Sequence, residues 1–151
     1  MKKYFLTVTV LLLAGGVLWG NELKNPGFEA GLEGWEIYFK NPDCKIVAVE
    51  PKNVSALLGD EPGLHQIQGI GDGFVPAVLD TSIITDIIEV TDEDAISTAR
   101  QLAKVQGLLV GTSSGANVWA AQRMAEKYGK DKTIVTILAD RAERYFSTAL
   151  I

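Results

Sequence analysis

Between residues 45 and 138, short apolar runs typical of strands alternate with segments whose apolar residues recur at helical spacing. Short β-branched runs predict strands at 45–50 (KIVAVE), 86–90 (DIIEV) and 133–138 (TIVTIL), and 108–110 predicts a very short one. Apolar residues at helical spacing predict one helix after residue 91 and another at 114–128. This order of strands and helices is typical of a mostly parallel sheet covered by helices.

Capping residues mark the ends of the predicted helices. Thr91 can cap the first helix, three acidic residues follow it at the positive end of the helix dipole, and Gly107 ends it. Gly129 ends the second helix in the same way. The positions predicted to face inward are Ala95, Ile96, Ala99, Leu102 and Ala103 in the first helix and Val118, Ala121 and Ala125 in the second.

Residues 1–20 have the composition of a targeting segment. Lys2 and Lys3 precede an uncharged apolar stretch that ends in small residues before Asn21. This pattern favours a secretory signal peptide. An uncleaved hydrophobic helix that anchors the chain in a membrane, or a wrongly assigned gene start, would also explain it.

Turn-forming residues and isolated aromatics dominate residues 21–37. Residues 25–36 (NPGFEAGLEGWE) weakly resemble the first strand of secreted carbohydrate-binding modules. Such a module needs two complete sheets, and no run of alternating strands follows. The segment is therefore interpreted as a linker or as a remnant of a secreted module.

Composition and charge exclude several classes of protein. The chain has 151 residues, 47% of them hydrophobic, a formal net charge of −5 and one cysteine. These values do not fit a disordered chain, a disulfide framework or a nucleic-acid binder with a basic face. Neither a metal site nor a catalytic residue is predicted. Cys44 is expected to be inert, and His65 to form hydrogen bonds within its loop.

Two glycine-rich stretches lie where a ligand could bind, at the ends of predicted strands. The first, 69–74 (GIGDGF), fits a dinucleotide fingerprint poorly. The second, 111–116 (GTSSGA), matches the G-x-S-x-G pattern of a nucleophile elbow, but the only histidine lies upstream of Ser113. Ser113 is instead expected to cap the helix or to contact a bound cofactor, and a simple cap would leave the flanking glycines unexplained.

Residues 39–151 resemble the C-terminal part of cysteine synthase, an O-acetylserine sulfhydrylase of the fold-type II pyridoxal-phosphate enzymes. The resemblance rests on four segments in family order: 40–51 (KNPDCKIVAVEP), 55–80 (SALLGDEPGLHQIQGIGDGFVPAVLD), 107–116 (GLLVGTSSGA) and 143–150 (ERYFSTAL). It implies an α/β fold, here the C-terminal portion of the tryptophan synthase β-like fold, a partial three-layer sandwich at 38–151. It also implies a homodimer that uses pyridoxal 5′-phosphate (PLP) to make L-cysteine from O-acetyl-L-serine and sulfide by β-replacement.

The resemblance also assigns cofactor-binding residues. Ser113 matches the serine that hydrogen-bonds the pyridine nitrogen, with Gly111 and Thr112 beside it. The loop of Gly69, Ile70 and Gly71 matches the family's active-site wall, where larger side chains would block the substrate.

The family's other site segments are not found in this sequence. Its Schiff-base lysine and its phosphate-binding loop lie upstream of the segment matched here. The expected protein is thus a truncated or fused form that is inactive alone. A half-enzyme that needs a separate N-terminal partner and an exported, non-catalytic binding protein are the alternatives. Localisation is in conflict, because the family is cytoplasmic while residues 1–20 favour export or a membrane anchor.

One segment departs from the family pattern. The family has a Pro-Asp-Ser-Gly-like turn before the ERY motif, whereas this chain has Ala139, Asp140, Arg141 and Ala142. The substitution predicts a bulky cation, Arg141, near the position of the pyridine ring.

Overall fold

A computed structural model describes residues 44–61, 63–77 and 79–150. The segments 1–20 and 21–37, and with them the predicted hydrophobic N-terminal helix, lie outside the described residues. Among the described helices, none is both long enough and apolar enough to cross a membrane. The elements are strands β1 (Val47–Pro51) and β2 (Asp86–Val90), helices α1 (Asp92–Gln101) and α2 (Thr112–Tyr128), a π-helical turn (Leu102–Gln106), and 3₁₀ turns (Ala56–Leu58, Thr81–Ile83, Ala142–Tyr145).

The two strands form a parallel sheet, with Val47 opposite Asp86 and Pro51 opposite Val90. Consecutive residues Val47, Ala48 and Val49 are all buried, which is the pattern of a parallel strand covered on both faces. One face packs against α2 through Val47 and Val49. Ile67 and Ile70, from the irregular connection between the strands, belong to the same hydrophobic cluster as Val47 and Val49, and other residues of that connection line a small cavity with Ala48.

Helix α1 begins after the predicted capping residue Thr91, and its π-helical extension ends at the predicted Gly107. Thr91 Oγ1 accepts a hydrogen bond from the Asp94 N–H at 3.1 Å. The π-helical turn extends the helix to Gly107, which adopts a left-handed conformation with φ of 69°. Of the five positions predicted to face inward, Ala95, Ile96 and Ala99 are buried, whereas Leu102 and Ala103, in the π-helical turn, are half-buried.

Helix α2 begins two residues earlier than predicted, and its inward face is a different one. The buried positions are Ala116, Ala120 and Met124, whereas Val118 and Ala121 are half-buried and Ala125 is exposed. The assignment failed because the helix contains small and apolar residues on several sides, so that hydropathy alone does not select a face. Gly129 ends the helix as predicted, with φ of 83°.

The two helices pack closely through small residues. A Cβ atom added at Gly115 would overlap the Ala95 carbonyl oxygen and lie 2.9 Å from the Ala99 Cβ. Ala99 also contacts Tyr145 and Leu150 in a second buried cluster. The C-terminal segment is therefore packed on α1, and α1 is packed on the start of α2.

Two predicted strands do not form in the part of the chain that the structure describes. In the segment 108–110, only Val110 makes an isolated antiparallel bridge, to Arg141. The segment 133–138 runs beside α2, where Asn117 Nδ2 donates to the Ile137 carbonyl at 2.8 Å. A strand needs a neighbouring strand for its backbone groups, and helix side chains take that role here. The α/β organisation is confirmed, but the described sheet has only two strands.

Candidate functional site

The first turn of α2 contains three consecutive buried hydroxyl groups. Thr112, Ser113 and Ser114 are at most 2% exposed. Gly111 occupies the N-cap position, and no side chain caps the helix there. The first-turn N–H groups of a helix lack partners within the helix. The arrangement therefore concentrates hydrogen-bond donors and hydroxyl groups at one point of the fold.

The three hydroxyl groups differ in their partners. Thr112 Oγ1 donates to Gln68 Oε1 at 2.9 Å. Ser114 Oγ accepts a hydrogen bond from the Ala139 N–H at 3.0 Å. Ser113 Oγ has no hydrogen-bond partner among residues 44–61, 63–77 and 79–150. Ser113 does not cap the helix, since Gly111 holds that position, so its hydroxyl can serve a ligand.

The glycines that flank these hydroxyl residues are explained by protein packing. A Cβ atom at Gly111 would overlap the Asp140 carboxylate and the Tyr145 ring. Gly115 is required by the close approach of α1, at Ala95 and Ala99. A helix cap alone left these glycines unexplained in the sequence, and in the structure both face other parts of the chain.

The 69–71 loop reaches the start of α2 through the bond between Gln68 and Thr112. Gly69 and Gly71 both have positive φ, 89° and 74°, so that the loop backbone needs glycine at these points. A Cβ at Gly69 would meet no atom within 4 Å, whereas a Cβ at Gly71 would lie 2.6 Å from Pro51 Cγ. Gly69 therefore borders open space, and Gly71 is packed against β1.

Ile70 has a different position from its two neighbours. Its side chain is 6% exposed and belongs to the main hydrophobic core. Only the backbone of Ile70 can therefore face a ligand. The structure brings the loop and the α2 N-terminus together through Gln68, a residue that sequence reasoning did not single out.

Residues 139–142 form the third side of this region. The Asp140 carbonyl accepts from the Gly111 N–H at 3.1 Å. Tyr145 OH donates a hydrogen bond to the Asp140 carboxylate, whose other oxygen, Oδ1, is buried without a partner. Burial, reinforced by this hydrogen bond, raises the pKa of Tyr145 to about 12. Tyr145 is thus a neutral donor that joins the C-terminal segment to the start of α2.

Arg141, the predicted obstruction, points to solvent. Its side chain is 84% exposed, and its guanidinium lies 3.8 Å from the Glu143 carboxylate. The cation therefore does not fill the space at the start of α2.

Two concave regions lie among the described residues, and neither is suited to a flat cofactor ring at the start of α2. A cavity of about 30 Å³ beside Ile70 and Gly71 is large enough for one water molecule but not for a flat ring. A groove of about 560 Å³ lies along β2 and contains none of the six predicted cofactor-binding residues. The surface at the start of α2 is therefore the better candidate for ligand contact.

The sequence of this chain is similar to those of known pyridoxal-phosphate dependent enzymes. Residues 27–140 match the family described as pyridoxal-phosphate dependent enzyme. The chain is 47% identical over 109 residues to a cysteine synthase of Staphylococcus aureus, and 55% identical over 105 residues to cysteine synthase B of Campylobacter jejuni. These matches cover 72% and 70% of the chain but 35% and 34% of the relatives, so the chain spans about a third of their length.

The fold is also similar to that of a solved structure. O-acetyl serine sulfhydrylase isoform 3 of Entamoeba histolytica superposes with a TM-score of 0.76 and 34% sequence identity. The match covers 98% of this chain and 41% of the solved chain. The chain therefore matches less than half of the solved chain.

Proposed function

Because this chain belongs to the pyridoxal-phosphate dependent enzyme family, we propose that the start of α2 and the 69–71 loop hold the pyridine edge of PLP in a cysteine synthase site. The predicted resemblance to the C-terminal part of cysteine synthase is confirmed by the relatives and by the solved neighbour. In the proposed reaction, the C–O bond to acetate in O-acetylserine breaks, and sulfide forms a C–S bond at the same β-carbon.

The observation that carries the proposal is the unused hydroxyl of Ser113. Ser113 is 2% exposed, and its hydroxyl has no hydrogen-bond partner in the described part of the chain, so it is free to bind a ligand that reaches the start of α2. Thr112 and Ser114, on either side, already have protein partners. Ser113 is therefore the residue of this turn that is available to a ring nitrogen.

The chemistry of a hydroxyl group suits this reaction. Ser113 Oγ can donate to an unprotonated pyridine nitrogen, but it cannot stabilise a proton on that nitrogen as a carboxylate would. The positive end of the α2 dipole also disfavours a proton there. When bound, PLP supplies an electron sink for charge at the substrate Cα, and these two features make that sink a mild one. A mild sink is sufficient for loss of acetate and addition of sulfide.

The 69–71 loop contributes shape to the proposed site. Gly69 leaves the space beside it open, which would admit the substrate or the cofactor. Ile70 anchors the loop by its buried side chain, so that its backbone is held at a fixed position. The hydrogen bond between Gln68 and Thr112 sets this loop against the residue next to Ser113.

We also propose that these 151 residues require a second polypeptide segment for activity. PLP enzymes need a lysine that binds the cofactor covalently and a cup for its phosphate, and neither family segment has a counterpart in this sequence. The chain alone should therefore bind PLP weakly and reversibly, without a lysine linkage. It should gain cysteine synthase activity when the N-terminal part of a cysteine synthase is supplied separately.

The binding experiment is an NMR titration of the ¹⁵N-labelled full chain with PLP. The amide resonances of residues 111–116 should shift, and Ser113→Ala should weaken the affinity about tenfold, the value of a typical hydrogen bond. Ser97→Ala is the matched control, because Ser97 is exposed on α1. An equal affinity of the Ser113→Ala and Ser97→Ala variants would contradict the proposal.

The activity experiment mixes the chain with the N-terminal part of a cysteine synthase that lacks the matched segment. Cysteine formation from O-acetylserine and sulfide should require both polypeptides and PLP. A borohydride-reducible, lysine-bound visible absorbance in the chain alone would overturn the requirement for a second segment.

A further inference from the structure

Both ring nitrogens of His65 bind the backbone of the loop that contains Gly69, Ile70 and Gly71. His65 Nδ1 accepts a hydrogen bond from the Ile67 N–H at 3.2 Å. His65 Nε2 lies 3.1 Å from the Gly71 carbonyl oxygen. The imidazole thus bridges the two ends of the loop, one contact before Gly69 and the other at Gly71.

These two contacts determine the tautomer of the ring. A backbone N–H can only donate, so Nδ1 must carry a lone pair, and a carbonyl can only accept, so Nε2 must carry the proton. The ring is therefore neutral with its proton on Nε2. Either of the other forms, the Nδ1–H tautomer or the imidazolium, would lose the bond from Ile67.

Other contacts also restrain the loop, among them the fully buried side chain of Ile67 and a hydrogen bond from the Gln66 N–H to the Asp92 carboxylate at 2.9 Å. Gly69 and Gly71 have positive φ, and glycine at these points gives the backbone wide freedom. Gly71 is so close to the imidazole that an added Cβ would lie 2.8 Å from His65 Nε2. The buried side chains of Ile67 and Ile70 and the Gln68–Thr112 hydrogen bond hold parts of the loop, while His65 is the side chain that connects the Ile67 N–H to the Gly71 carbonyl.

We infer that His65 is a positioning residue that, as the neutral Nε2–H tautomer, fixes the backbone of residues 67–71 beside Ser113. Its relevance to the reaction rests on the proposed function, while its effect on the loop does not. His65 touches neither the cofactor nor the reacting atoms in this assignment. It acts by keeping the glycine backbone in the one conformation that leaves the space beside Gly69 open.

The tautomer can be measured directly, because His65 is the only histidine of the chain. A long-range ¹H–¹⁵N correlation spectrum of the full chain at pH 7.5 should show a protonated Nε2 and an unprotonated Nδ1. This experiment needs no variant and no cofactor. An Nδ1–H tautomer, or an equal mixture of the two, would overturn the inference.

Two conservative variants separate the two contacts. His65→Asn places an oxygen acceptor where Nδ1 was, and His65→Gln places an N–H donor near the position of Nε2. We expect the Ile67 amide to exchange with solvent about tenfold faster in His65→Ala and His65→Gln. In His65→Asn, Ile67 should remain protected to within about threefold of the original chain. Unchanged amide protection in α1 and α2 would show that the variants are folded.

The pattern across the variants distinguishes positioning from space filling. If the Ile67 amide is equally protected in His65→Asn and His65→Gln, or unaffected in His65→Ala, the inference is wrong. The same samples are then titrated with PLP. Failure of the original chain to bind PLP would count against the proposed function only, since the tautomer and the amide protection are measured without it.

Discussion

Thr112 Oγ1 donates a hydrogen bond to Gln68 Oε1 at 2.9 Å, and this bond joins the start of α2 to the 69–71 loop. Thr112 is 1% exposed, whereas Gln68 is exposed. The bond therefore links a buried residue of the helix to an exposed residue of the loop and adds to the restraints that the buried side chains and His65 impose. Residues 44 apart in sequence are thereby brought into one candidate site.

Replacing Thr112 by valine tests this connection. Thr112→Val keeps the shape of the side chain but removes the donor, and the exposed Gln68 can turn to water, so the free energy of unfolding should fall by about 1 kcal/mol or less. The amides of Gly69 and Ile70 should exchange several-fold faster, as measured by NMR. Thr81→Val, at an exposed 3₁₀ turn, should leave them unchanged. Equal exchange in both variants would show that the bond does not restrain the loop.

A second prediction concerns the contact between the helices at Gly115. Gly115→Ala should lower the free energy of unfolding by about 1–3 kcal/mol, because its Cβ would overlap the Ala95 carbonyl oxygen. Gly107→Ala is the comparison: its φ is 69°, but no atom lies near the added Cβ. It should cost about 1 kcal/mol through backbone strain alone. Urea unfolding of both variants measures the difference, and a more stable Gly115→Ala chain would refute the packing account.

The pKa of Tyr145, raised to about 12, predicts a loss of stability at alkaline pH. The unfolded phenol ionises near pH 10, so the contribution of Tyr145 is fully present below about pH 10 and is lost as pH rises towards about 12. The free energy of unfolding should fall more steeply over this window in the original chain than in Tyr145→Phe. Phenolate absorbance, as the difference between the two proteins, should show one tyrosine that titrates late. A difference spectrum centred near pH 10 would contradict this prediction.

Arg100 holds the C-terminal segment on α1. Its Nε donates to the Leu150 carbonyl at 3.0 Å, and its Nη2 donates to the Ala149 carbonyl at 2.7 Å. Arg100→Ala should lower the free energy of unfolding by about 1–3 kcal/mol and make the Thr148 amide exchange faster. Arg123→Ala, which removes an exposed ion pair with Glu126 and a cation–π contact with Trp119 on α2, should change the free energy of unfolding by about 1 kcal/mol or less. Equal effects of the two substitutions would argue against this role of Arg100.

Local sequence signals predicted the elements that local interactions stabilise. Thr91 and Gly107 marked the ends of α1 and its extension because capping depends on residues within one turn of the helix. The 133–138 segment was assigned wrongly because strand formation depends on a neighbour that is distant in sequence. The inward face of α2 was wrong for a related reason, since its buried residues pack on the sheet and on Ala95, all of which are distant in sequence.

In the candidate site too, some features could be predicted from the sequence and others only appear in the structure. Ser113 was identified by resemblance to a family motif, and the structure adds that its hydroxyl is buried without a partner in the described residues. Gly111 and Gly115 belong to the same motif but serve packing, which a motif cannot reveal. The Gln68–Thr112 bond and the Tyr145–Asp140 bond were not predicted, because they depend on long-range or non-repeating geometry. The only sequence signal for Gln68 was that it is a polar residue directly before the glycine loop.

The central claim is that Ser113 Oγ meets the pyridine nitrogen of PLP, and a cofactor analogue tests it most directly. The affinities of the full chain and of Ser113→Ala are measured by NMR titration for PLP and for its 1-deaza analogue, which has carbon in place of the ring nitrogen. The account predicts that Ser113→Ala weakens binding of PLP about tenfold and leaves binding of the analogue unchanged. An equal loss of affinity for both compounds, or none for either, would contradict it.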